Sequence, residues 1–134
     1  MELKRNHATL NRPEGDRVID ALYVFIDLPD FIRQLKEEPA WEKNDRNGIT
    51  VFKTNNLTMV LTILHEKAEI KDNKVDGLVT LQVIEGIIRV DTIDGDIEMK
   101  EKQVLSLHCN EPHSIEALSD CAFLLSNFTC PSMP

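Results

Sequence analysis

The sequence lacks the features of a membrane or secreted protein. No apolar run approaches the roughly 20 residues that a membrane-spanning helix needs. The opening stretch, "MELKRNHATLNRPEGDR", contains no apolar core of a signal peptide, so we expect none. The three cysteines, Cys109, Cys121 and Cys130, are an odd number and have no CxxC spacing. The simplest expectation is a cytoplasmic chain with reduced thiols.

An excess of basic charge and the common catalytic motifs are also missing. The chain has 15 Lys and Arg against 23 Asp and Glu, a net charge of -8 without a basic cluster. Nucleic acids and anionic membranes attract Lys and Arg, so we expect neither as a partner. No GxSxG, P-loop or Rossmann fingerprint is present, and Cys109 has no neighbouring Lys or Arg to activate its thiol. Whether the chain is an enzyme stays open.

The 134 residues are enough for one domain and too few for two. Residues 1–17 are polar and carry Pro13 and Gly15. We predict that they form an N-terminal arm, which a partner subunit could receive, and that residues 18–134 form a single domain.

One short helix is predicted near the N-terminus. Its apolar face is spaced i, i+3, i+4 and i+7 and consists of Leu28, Phe31, Ile32 and Leu35. Asp27 can cap this helix and Pro39 ends it. We expect the helix to pack on the outside of a sheet.

The rest of the chain, from residue 48, alternates as short strands do. "GITVFKT" and "LTMVLTILH" flank Asn55 and Asn56, which can adopt the positive φ of a tight hairpin turn. Asp94-Gly95 is the strongest hairpin signal in the chain. About eight strands with frequent turns predict an all-β sandwich or barrel.

Two stretches resemble the two motifs of a small single-domain cupin. They are "LHEKAEIKDNKVDGLVTLQVIEGIIRV" and "KQVLSLHCNEPHSIEALSDCAFLLSNF", within roughly residues 57 to 128. The turn "VIEG", the spacing to "EPHSIEAL" and the last strand "CAFLL" carry the resemblance. It implies a cupin-type jelly-roll β-barrel, with the short N-terminal helix packed outside, and a homodimer. Many cupins also bind a divalent metal inside the barrel.

The resemblance implies where metal ligands would lie. Metal-binding cupins use two His and one Glu from the first motif and one His from the second. Counted from Gly86, the Glu position falls on Val79 and the two His positions fall on Asn73 and Val75. A longer spacing instead places the two His positions on Asp72 and Lys74.

Only His113 keeps the family residue at a ligand position. Val79 cannot ligate, and the amide oxygen of Asn73 is a poor donor for the metals that cupins hold. We therefore expect no metal and no cofactor.

Strand alternation predicts which side chains face the barrel interior. With Val79 inward, Leu81 and Val83 also face inward, whereas Gln82 faces outward. His65 shares a face with four apolar residues that we expect to be inward: Leu57, Met59, Leu61 and Ile63.

His113 likewise shares a face with Ile115 and Ala117. An apolar interior with a few polar groups describes a small-molecule pocket. The predicted pocket residues are His113, His65, Asn73 and Val79.

Each polar candidate also has a structural explanation. His113 can be a barrel-mouth histidine bonded to the backbone, and His65 a satisfied histidine at a strand end. Asn73 can serve as a turn residue in "KDNKVDG".

Three functions are consistent with the sequence. The first is metal-free binding or sensing of a small molecule in the barrel. The second is a metal-dependent cupin enzyme, a dioxygenase or isomerase, in which His113 joins at least two of His65, Asp72 and Asp76. The third is a dimeric structural or interaction protein whose interface includes Thr80 and Gln82.

Overall fold

The computed structural model describes residues 4–6, 12, 17–73 and 76–130. Two short helices lie near the N-terminus, α1 (Leu28–Glu37) and α2 (Pro39–Lys43). A five-stranded antiparallel sheet has, in spatial order, the strands β3 (Arg46–Lys53), β4 (Leu57–Leu64), β11 (Cys121–Phe128), β6 (Leu78–Glu85) and β9 (Val104–Leu107). A four-stranded antiparallel sheet has β5 (Glu69–Asn73), β10 (His113–Ala117), β7 (Ile88–Thr92) and β8 (Gly95–Met99). A two-stranded ribbon joins β1 (Lys4–Asn6) to β2 (Arg17–Asp20).

The two larger sheets share one apolar core, which we call the inner core. Its buried members come from both sheets: Leu64, Ala68, Val79, Leu81, Val83, Ile88, Val90, Met99, Ile115, Ala117, Cys121 and Phe123. Along β6, Val79, Leu81 and Val83 are buried while Gln82 is exposed. The predicted alternation of this strand is confirmed, and so is the all-β fold of two antiparallel sheets.

A second apolar core lies on the other side of the five-stranded sheet, and we call it the outer core. Ile32 and Leu35 of α1 pack there against Leu61 and Ile63 of β4. The prediction that this face of β4 points inward is therefore wrong. The alternation identifies residues that share a face, but an apolar face covered by a helix has the same pattern as one that lines a barrel.

Helix α1 forms as the sequence predicts, with one addition. The Asp27 side chain accepts a hydrogen bond from the Asp30 backbone N–H at 3.2 Å, which caps the first turn. The chain leaves the helix at Glu38, and Pro39 then begins the second, unpredicted helix α2. Neither helix in the described residues has the length and apolar character that crossing a membrane requires.

The two predicted hairpins form, but their turns differ. The two residues that connect β7 to β8 are Ile93 and Asp94, so the turn lies one residue earlier than the predicted Asp94-Gly95 pair, and Gly95, with a φ of 120°, begins β8 opposite Thr92. Asn55 and Asn56 do not adopt positive φ, so that part of the prediction is wrong. The Thr54 hydroxyl oxygen instead accepts hydrogen bonds from the backbone N–H groups of Asn56 and Leu57, at 3.1 and 3.0 Å. The side chain of Thr54 thus closes the turn without left-handed residues.

The expectation of three reduced thiols is also wrong. Cys109 and Cys130 form a disulfide whose Cα atoms are 6.1 Å apart. Cys121 is free and buried, and burial raises the pKa of its thiol to about 11. The two bonded residues are 21 positions apart in the sequence, a separation that does not reveal a pairing.

A polar network ties the described part of the N-terminal segment to the helices. Arg12 donates hydrogen bonds to both carboxylate oxygens of Glu38, the shortest at 2.9 Å, and to the Gly48 carbonyl oxygen at 2.7 Å. Asn47 and Gln34 also donate to Glu38, at 3.0 and 3.1 Å. The division into an arm at 1–17 and a domain at 18–134 stays a prediction, but Arg12 contacts the domain directly.

This network sets the protonation of Glu38. Partial burial disfavours the carboxylate, but hydrogen bonds from Arg12, Asn47 and Gln34 outweigh that effect and lower the pKa of Glu38 from 4.5 to about 2. Because the folded-state pKa is the lower one, the stabilisation is fully present above about pH 4.5 and is lost as the pH falls toward 2.

We predict that Glu38→Gln lowers the free energy of unfolding by about 1–3 kcal/mol at neutral pH, after allowance for partial exposure. Urea unfolding measured from neutral pH into the acid range should show a shallower acid loss in the variant. Glu85→Gln is the matched control, because Glu85 pairs with Lys36 at 3.1 Å but is exposed. Its effect should stay within about 0.5 kcal/mol. Equal losses for the two variants would contradict the role given to Glu38.

Candidate functional site

Among the described residues, His113 is a buried polar side chain in the barrel wall. It begins β10, is only 3% exposed, and shares the buried face of that strand with Ile115 and Ala117 of the inner core. Strand alternation brings it there, because the outward positions of β10 are the polar residues Ser114 and Glu116. The predicted orientation of His113 is confirmed.

The neighbouring loop holds the ring of His113. Its Nδ1–H donates to the carbonyl oxygen of Glu111, at 3.1 Å. A carbonyl oxygen can only accept, so the Nδ1 of His113 carries the hydrogen of this bond. The alternative prediction, that the backbone would hold the ring of His113, is therefore also correct. It is compatible with a functional role, because a hydrogen bond at one ring nitrogen orients a functional imidazole.

Asn73 lies on β5, which pairs with β10, whereas Val79 lies on β6 of the other large sheet. Val79 is 2% exposed and belongs to the inner core, so an apolar side chain fills the interior at the position where the sequence resemblance implied a carboxylate. Asn73 ends β5, and its backbone pairs with that of His113 in the β5–β10 ladder. The side chain of Asn73 lies outside the described part of the chain, as do residues 74 and 75. Asn73 and Val79 as ligand-binding residues stay predictions.

His65 lies on the opposite side of the five-stranded sheet. Its ring stacks on Trp41 of α2, with centroids 3.4 Å apart and an angle of 15° between the planes. Its Nε2–H donates to the Trp41 carbonyl oxygen at 2.7 Å, and its Nδ1 is 3.8 Å from a carboxylate oxygen of Asp120. The prediction that His65 faces the barrel interior is wrong. It is the satisfied strand-end histidine of the alternative interpretation.

The rearranged metal site loses one of its proposed ligands in this arrangement. His65 cannot join His113, since the sheet separates them. Asp76 is exposed in the turn before β6, and the side chain of Asp72 lies outside the described residues. Among the side chains that the structure describes, no three His, Cys, Asp or Glu residues converge as metal ligands would. Cys109, the other suggestive residue beside His113, is in the disulfide.

A groove of about 240 Å³ lies on the outer face of the four-stranded sheet, and the sequence did not single it out. Its lining residues are Glu69, Lys71, Arg89, Asp91, Ser114, Ile115 and Glu116. Arg89 pairs with Glu116, and with Asp91 at 3.3 Å. A hydrogen bond with Asp91 raises the pKa of Asp96, which faces it on β8. The lining carries two cations, Lys71 and Arg89, and three carboxylates, so it is acidic overall. The polar positions that alternate along β5, β7 and β10 are the signal from which the groove could have been found.

The architecture can be compared with known proteins. Neither models of protein families nor curated proteins match the sequence. Solved structures do. A cupin superfamily protein from Desulfitobacterium hafniense matches with a TM-score of 0.62 at 13% identity, over 65% of this chain and 80% of that one. A cupin-2 domain containing protein from Shewanella frigidimarina also matches with a TM-score of 0.62 at 13% identity, over 77% of this chain and 93% of that one.

A third similar structure is the cupin domain of an XRE family transcriptional regulator from Enterobacter cloacae. It has a TM-score of 0.56 and 15% identity, and the match covers 66% of this chain and all of that one. These likenesses confirm the predicted fold: the chain is a cupin-type β-barrel. At such low identity they show the fold alone.

Proposed function

We propose that this protein binds a small organic molecule at the end of the barrel where His113 lies. The supporting observation is a buried histidine that shares its strand face with the apolar residues Ile115 and Ala117 and whose Nδ1–H donates to the Glu111 carbonyl. Binding sites of this kind combine apolar contact with a few polar groups that set orientation. The regulator domain among the similar structures supports a sensing or accessory role.

The charge of the chain narrows the ligand class. A net charge of -8 repels anions over the whole surface. The inner wall offers apolar contacts, and His113 places a polar ring beside them. The ligand class that we propose is therefore uncharged, with an apolar body and one hydroxyl or N–H group.

Phenol and toluene test this proposal, because they share a shape and differ in the hydroxyl group. We predict that phenol shifts backbone resonances of β10 in NMR titrations, and that His113→Ala weakens phenol binding by about five- to tenfold, the effect of one lost hydrogen bond. Toluene binding should not change in that variant. His65→Ala is the matched control: it should alter the emission of Trp41, the single tryptophan, and leave phenol binding unchanged.

Two results would contradict the proposal. One is phenol and toluene losing affinity equally in His113→Ala while the melting temperature is retained. The other is stoichiometric Fe, Zn, Ni or Mn in the purified protein that disappears in His113→Ala, which would support the metal-dependent enzyme instead.

We also propose that the protein forms a homodimer. Separately, we propose that it is cytoplasmic. The segment between β2 and α1 exposes three large apolar side chains, Leu22 (83%), Tyr23 (88%) and Phe25 (89%). A contiguous apolar segment of this size commonly marks an interface. On the edge strand β9, Val104 is 57% exposed and pairs with Gln82 of β6, which the sequence had already suggested as an interface residue.

We predict that Tyr23→Ser with Phe25→Ser converts the protein from dimer to monomer without lowering its melting temperature by more than a few degrees. Light scattering coupled to size exclusion measures the mass. Ile93→Ser is the control, since Ile93 is also 84% exposed but lies in the distant β7–β8 turn. A natural protein that is monomeric at all concentrations would contradict the dimer.

A further inference from the structure

The Cys109–Cys130 disulfide joins two segments at the His113 end of the barrel. Cys109 lies in the connection between β9 and β10, residues 108–112, which we call the mouth loop. Cys130 lies two residues beyond β11. The mouth loop supplies the Glu111 carbonyl that accepts from His113. The disulfide therefore fixes the loop that positions the proposed binding histidine.

The backbone contacts of the mouth loop are long. The Asn110 N–H reaches the Gly77 carbonyl at 3.4 Å, and the Glu111 N–H reaches that of His108 at 3.3 Å. Both exceed the usual N–H···O range. Asn110 also has a φ of 64°, a left-handed conformation that asparagine adopts more readily than most residues. Among the described residues, these backbone hydrogen bonds are weaker restraints on the loop than the covalent link.

The other partner of the link is well anchored. Next to Cys130, the Thr129 N–H donates to the Asn56 carbonyl at 2.9 Å and its hydroxyl donates to the Asn55 carbonyl at 3.2 Å. The preceding residues of β11 pair with β4 on one side and β6 on the other. When the link opens, the mouth loop is therefore the segment that can move.

We propose that the Cys109–Cys130 pair is a redox-controlled clasp: the disulfide holds the mouth loop against the end of β11, and the dithiol releases the loop from the barrel end at which His113 lies. Its role in ligand access rests on the proposed function, whereas the release of the loop does not. In a cytoplasmic chain, a disulfide is more often transient and redox-sensing than structural.

The chemistry needs a dithiol reductant of the protein or small-molecule class. A thiolate of the reductant attacks one sulfur, the other sulfur leaves as a thiolate and takes up a proton, and the second thiol of the reductant then displaces the first protein thiol. The protein gains two thiols, and the reductant is oxidised to a disulfide. Closure is the reverse exchange with a disulfide oxidant.

The third cysteine does not compete in this exchange. Cys121 begins β11, and the other seven residues of that strand together with Thr129 separate it from Cys130. It is buried, and burial raises its pKa to about 11, so its thiolate is scarce at neutral pH.

Dithiothreitol applied to the full chain tests the clasp. On reduction, amide hydrogen exchange in the mouth loop should rise by roughly tenfold, while β4, β6 and β11 keep their protection. Carbethoxylation of His113 by diethyl pyrocarbonate should become faster, and that of His65 should not. Cys109→Ser with Cys130→Ser should behave as the reduced form without reductant, and Cys121→Ala should respond to dithiothreitol as the natural chain does.

Three outcomes would overturn the clasp. The first is that exchange in the mouth loop and carbethoxylation of His113 are the same in the oxidised and the reduced protein. The second is that exchange rises across all the strands, which would make the disulfide a purely structural cross-link. The third is that three thiols are titrated after incubation with oxidised glutathione. If the loop opens as expected but phenol never binds near His113, the clasp stands and the proposed function fails.

Discussion

The fold depends on the pairing of β11 between β4 and β6. Every residue from Cys121 to Phe128 pairs with β4, and residues from Ala122 onward also pair with β6. Cys121 and Phe123 project into the inner core, whereas Ala122 and Leu124 project into the outer core. Truncation of a fully buried phenylalanine such as Phe123 costs about 3–5 kcal/mol, so this single strand stabilises both cores at once.

The location of the candidate site follows from the central position of β11 in the five-stranded sheet. β11 and its neighbours separate the helix side, with His65 stacked on Trp41, from the barrel side, with His113 among apolar residues. The proposed binding position at His113 and the polar network around Glu38 therefore lie on different sides of the five-stranded sheet. The C-terminal end of β11 also leads to Cys130, so the strand that divides the molecule carries one half of the clasp.

The sequence predicts the orientation of a strand's side chains only when one of its two faces is buried and the other is not. β10 has one apolar and one polar face, so alternation placed His113 correctly. β4 lies between two apolar cores, and alternation could not tell which core receives His65; only the position of α1 decides it. The disulfide and the Thr54 turn depend on contacts between particular atoms, which no periodic pattern encodes. The position of His113 in the candidate site could thus be predicted from strand periodicity. The disulfide beside it could not be predicted.

The separation of the two cores by β11 is the central claim, and methyl NMR of two adjacent variants tests it most directly. Phe123→Leu should shift mainly inner-core methyl resonances, such as those of Val83 and Ile115. Leu124→Ala should shift mainly outer-core resonances, such as those of Ile32 and Ile63. If each substitution instead perturbs both sets of methyl groups equally, β11 does not divide the molecule and the location of the His113 site loses its structural basis.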